Sequence, residues 1–135
     1  MKNLNAVVAA GLLAIGGSAA AGTHPTGLNI RKAETNYLAC LGSCCDGVRE
    51  SALAQVVRMR LAYPEAPLTC ITERVAQMAA AGRTPEIRMK ARLASAVLAN
   101  PRLLKAVSID PETDVFSLIR ERLAADVPAG YSEAR

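Results

Sequence analysis

Proline, glycine and asparagine cut this chain into short runs, and within each run the apolar residues recur three and four positions apart. That spacing puts them on one face of an α-helix, so the chain reads as a set of short amphipathic helices with stiff joints. The clearest stripe is Leu68, Ile71, Val75, Met78 and Ala79. Pro67 suits the first turn of that helix, and Gly82 predicts its stop in a positive-φ conformation. Thr84-Pro85-Glu86 then supplies a cap, a first-turn proline and an acid facing the helix dipole. Ile87, Ala91, Ala94, Val97 and Leu98 form the inner face of the helix that follows, and Asn100-Pro101 ends it. Upstream, Asp46 predicts the cap of a helix running to about Tyr63, lined by Leu53, Val56, Val57 and Leu61 and stopped by Pro64. Ala33, Tyr37, Leu38 and Leu41 predict a weaker helix over 30–41, closed by Gly42-Ser43. Arg102 to Val107 reads as a short helical piece. Asp110-Pro111-Glu112 predicts the start of a last helix lined by Val115, Ile119 and Leu123, with Phe116 beside them.

No run alternates apolar and polar residues, which makes the fold class all-α. Composition agrees: the 135 residues are 51% hydrophobic but only 3% aromatic, too poor in strand-forming side chains for a large β-sandwich. The short joints predict antiparallel neighbours.

Residues 1–21 read as a signal peptide. Lys2 gives the positive start, Ala6 to Ile15 is apolar, and Ala19-x-Ala21 fits a small-residue cleavage site. The apolar stretch is shorter than the roughly 20 residues that span a bilayer. Leu38-Ala39-Cys40 looks like a lipid-attachment site, but Arg31, Lys32 and Glu34 separate it from the apolar segment. The expected organisation is a signal at 1–21, a flexible leader at 22–29, a helical domain at 30–125 and a tail at 126–135. The expected location is the periplasm or the exterior.

A pattern of aliphatic, Arg, two variable residues and Ala occurs twice, as Val48-Arg49 with Ala52 and as Ile87-Arg88 with Ala91. Each copy opens a helix after a turn and leads to a proline stop, and the period of about 40 residues is that of helix-pair arrays. On Asp46-Gly47-Val48-Arg49 and Thr84-Pro85-Glu86-Ile87-Arg88 the chain resembles HEAT-repeat proteins, and on Glu50-Ser51-Ala52-Leu53 through Tyr63-Pro64, followed by Thr84 to Ala94, it looks more narrowly like small exported bacterial proteins with HEAT-like pairs. The resemblance implies a short array of antiparallel helix pairs whose surface binds other proteins. A generic small helical bundle is the alternative architecture. Arg49 and Arg88 are expected to be structural, laddering with acids or helix ends of the neighbouring unit.

The cysteines are Cys40, Cys44, Cys45 and Cys70, all beyond the signal. An even count in an exported chain predicts disulfides. Cys44 and Cys45 precede the second helix and Cys70 follows it. A helix of about 16 residues is roughly 24 Å long, and a bridge needs Cα atoms within about 7 Å. The feasible local pairs are therefore Cys40 with Cys44 or Cys45, leaving Cys70 as a buried hydrophobe or an intermolecular thiol. A metal site on Cys40-x3-Cys44-Cys45 is a poor match to paired zinc knuckles.

No catalytic residues and no cofactor are assigned. The single His24 falls in the leader, where it cannot be held as a base, and no glycine-rich phosphate loop or redox Cys-x-x-Cys occurs. The net charge is +4. Arg58, Arg60, Arg92 and Arg102 are candidates for a basic surface. Export and the scarcity of aromatics argue against nucleic acid as its partner and for a protein or an anionic envelope surface. The expected function is a non-enzymatic helical interaction protein with an unidentified protein partner. The alternative is a small Cys-based metal-binding or redox-responsive envelope protein.

Overall fold

A computed structural model describes residues 27–105 and 107–126 of the chain. The described residues are all-helical: α1 (Gly27–Leu41), α2 (Asp46–Ala62), α3 (Thr69–Ala81), α4 (Pro85–Ala99), a 3-10 turn (Pro101–Leu104) and α5 (Val115–Asp126). The expected signal at 1–21 and most of the tail lie outside them. Residues 27–29, expected in the leader, form the first turn of α1. By its internal contacts the chain divides into two units, residues 1–31 and 32–135. The packing that follows belongs to the second.

α4 is the centre of that unit and packs against α2, α3, the 3-10 turn and α5. Ile87, Ala91, Leu93, Ala94, Val97 and Leu98 are all buried. At 100° per residue these positions cover an arc of about 160°, wide enough to serve several neighbours at once. Leu53, Val56 and Val57 of α2, Ile71 and Val75 of α3, and Val115 and Ile119 of α5 complete the core. Each such side chain stabilises the fold by about 1.5–3 kcal/mol on burial. Leu123, expected on the inner face of the last helix, is instead 36% exposed. It lies beyond the reach of α4, and residues 120–126 are all on the surface. Only Leu41 of the α1 stripe is fully buried; Ala33, Tyr37 and Leu38 are half-buried.

The caps match the sequence best at α4. Thr84 Oγ1 accepts from Ile87 N at 3.1 Å, and Pro85 occupies the first turn. Asn100 closes the helix, and its side chain accepts from Arg102 N to start the 3-10 turn. Three expectations are corrected. Cys45, not Asp46, sits at the cap position of α2, and Asp46 lies inside the first turn with Arg49 at 3.4 Å. Asp114, not Asp110, starts α5. It accepts from Phe116 N at 3.1 Å and Ser117 Oγ at 2.6 Å. These hydrogen bonds, Ser117 first, hold the Asp114 carboxyl below the usual aspartate value. Partial burial opposes them and Arg120 adds to them. Gly82 has φ −58° and ψ 147°, so it is not left-handed. Glycine is required there by crowding, since a Cβ would lie 2.5 Å from Met78 O and 3.0 Å from Ile87 Cγ2. The close turn lets α4 fold back on α3, and Arg88 Nη1 donates to Gly82 O at 2.7 Å.

Candidate functional site

The residues of the two pattern copies take up unequal environments. Ala52 and Ala91 are both buried, as small residues at a helix–helix contact should be. Val48 is 40% exposed, whereas Ile87 is fully buried. Arg49 reaches only Asp46 of its own helix, while Arg88 reaches the C-terminal end of α3. The link between α2 and α4 is made by other residues. Lys90 Nζ lies 2.6 Å from Glu50 of α2 and 2.9 Å from Glu86, and 5.8 Å from the centre of the Phe116 ring. Burial works against the Lys90 charge, but hydrogen bonds to Glu50 and Glu86 and their charges outweigh it and raise its pKa.

The four candidate basic residues separate into two groups. Arg58 Nη2 donates to Pro111 O and Thr113 O, both at 3.0 Å, and so ties the loop before α5 to α2. Arg60 Nη1 donates to Pro64 O and Ala66 O, both at 2.9 Å, and so closes the turn between α2 and α3. Arg92 and Arg102 are exposed. Arg58 and Arg102 line a common hollow.

That hollow encloses about 540 Å³ between the end of α2, the 3-10 turn and the residues that follow it. Its apolar walls are Leu61, Pro64, Leu104, Val107 and Ile109, and its cations are Arg58, Arg102 and Lys105. Among the described residues no carboxylate lines it. Neither Arg102 nor Lys105 forms an ion pair among the described residues. Arg58 serves twice, since the hydrogen bonds that fix the loop also hold its guanidinium at the wall. The sequence placed Lys105 and Val107 only in a short helical piece over 102–107, whereas the 3-10 turn ends at Leu104, and Ile109 was not picked out at all.

The cysteines also separate. Cys40 is half-buried and Cys44, Cys45 and Cys70 are exposed, so Cys70 is not the buried hydrophobe that was one expectation. Cys40 and Cys45 line one hollow with Tyr37 and Val48, while Cys44 and Cys70 do not. Among the described residues no three His, Cys, Asp or Glu side chains gather as a metal would require. No helix among them is long and apolar enough to cross a membrane. Comparison with protein-family models, curated proteins and solved structures gave no match.

Proposed function

We propose that this chain is an exported, non-enzymatic binding protein that takes an acidic, aliphatic segment of a protein partner into the groove bounded by Arg58, Arg102 and Lys105. The observation that carries the reading is the pairing of an apolar floor with three cations and no carboxylate. Such a groove favours a ligand that brings both aliphatic side chains and negative charge. Its volume of about 540 Å³ is suited to one or two side chains of a partner held by a wider surface contact. Recognition through a helix-pair surface is what the HEAT-like pattern implies, and export rests on the signal-like residues 1–21.

Fluorescence anisotropy with a peptide alternating Leu and Glu, against the same peptide with Lys for Glu, tests the groove. The acidic peptide should bind, the basic one should not, and Arg102→Glu with Lys105→Glu should weaken binding at least tenfold. Equal binding of both peptides, or no effect of the double substitution, would contradict the assignment.

A second reading has its own support in the shared Cys40–Cys45 hollow. In an oxidising compartment these two thiols would give two protons and two electrons to an external disulfide and become bridged. The bridge would join the end of α1 to the start of α2. Intact mass of the exported protein with and without alkylation checks both points. Loss of 1–21 and two unalkylated cysteines at 40 and 45 support it, and four alkylated thiols contradict it.

A further inference from the structure

A separate hollow lies near the other end of α2, at the turn between α3 and α4. It encloses about 400 Å³ and is lined by three arginines, Arg49, Arg74 and Arg83, each from a different element. Like charges gathered in one concavity repel each other, so a structural role should show in strong hydrogen bonds, and the side-chain bonds these arginines make are few and long. Arg49 reaches Asp46 at 3.4 Å, and its Nε is buried with no protein acceptor. Arg74 makes a 3.3 Å contact with Gln77, and Arg83 is exposed and unpaired among the described residues. None of the three donates to the carbonyls at the end of α3; Arg88 does that work. The α3 dipole places about half a negative charge at this end, and with the Asp46 carboxylate at Arg49 it still leaves the hollow positive against three arginines. Among the described residues no carboxylate lines the hollow itself.

We propose that this hollow binds the phosphate of a phosphomonoester. Two guanidinium forks already saturate a carboxylate, whereas the three terminal oxygens of a phosphate dianion can take donors from all three arginines. The hollow is larger than the ion. Leu41, Met78 and Ile87 line its apolar side, which leaves space for the carbon body of an ester. The same headgroup could come from a soluble ester or from a lipid surface. The site shares no lining residue with the partner groove, so either can fail without the other.

Calorimetry on the full chain with inorganic phosphate and with phenyl phosphate tests the site, together with sedimentation on phosphatidylcholine vesicles carrying phosphatidic acid. Phenyl phosphate should bind saturably and more tightly than inorganic phosphate. Arg74→Gln and Arg83→Gln should each weaken it about tenfold, the loss expected for a hydrogen bond to a charged group. Arg83 is exposed and Arg74 half-buried with only a 3.3 Å contact to Gln77, so circular dichroism should show the fold unchanged. Arg92→Gln, outside the hollow, should leave binding as it was. Vesicle sedimentation lost in Arg74→Gln and Arg83→Gln assigns the headgroup to a lipid, and phenyl phosphate binding without sedimentation assigns it to a soluble ester. No binding of either probe, or an equal loss in Arg92→Gln, overturns the proposal.

Discussion

Gly82 and Asp114 show how single residues set the joints between helices. At Gly82 the demand is for space, because Met78 O, Ile87 and Arg88 all crowd the missing Cβ. Gly82→Ala should therefore destabilise the protein by about 1–3 kcal/mol, the cost of overpacking a tight contact. Urea denaturation would read the change directly. Asp114 acts through its charge and its cap hydrogen bonds. Because its pKa is lowered, it contributes stability above the ordinary aspartate value and loses it as pH falls through the lower folded value. Asp114→Ala should cost about 1 kcal/mol at neutral pH. The difference from wild type should shrink once both melts are taken in strong acid. Lys90 works in the opposite direction. Its raised pKa means that its contribution is whole below the ordinary lysine value and is lost as pH rises through the folded value. Glu50→Gln should flatten that alkaline loss in thermal melts taken as pH rises past the ordinary lysine value.

At the level of elements, the sequence read well wherever the signal was local. Thr84-Pro85-Glu86 is a complete start for α4, and its bounds and inner face follow from residues within the helix itself. The starts of α2 and α5 were misplaced by one and by several residues for a shared reason. Asp46 and Asp110 have the chemistry of a cap, but the path of the chain decides which candidate is used, and Asp114 faces the open amides of α5. Long-range contacts left no local trace at all. The Arg58 clamp onto Pro111 and Thr113 spans more than 50 residues. Arg58→Met should release the loop before α5 and cost about 1.5–3 kcal/mol, as expected for hydrogen bonds from a charged group. Hydrogen exchange should then rise in α5 more than in α3.

For the whole molecule, the all-α class was legible because it needs only periodicity and punctuation. The grooves were not, since each is lined from segments far apart in sequence, such as Arg58 with Ile109 and Arg49 with Arg83. The two copies of the pattern near Val48 and Ile87 both lie in the first turns of a helix but are packed unequally, since Val48 is 40% exposed and Ile87 is fully buried. On the proposed function, binding depends on which cations remain unpaired once the clamps have formed, and Arg102 and Lys105 line that groove without an ion pair among the described residues. The most direct test is an amide NMR titration of the full chain with the Leu–Glu peptide. The account predicts saturable shifts confined to Leu61, Leu104, Lys105, Val107 and their neighbours, with Gly82 and Arg83 unmoved. Shifts spread evenly over the surface, or centred anywhere else, would contradict it.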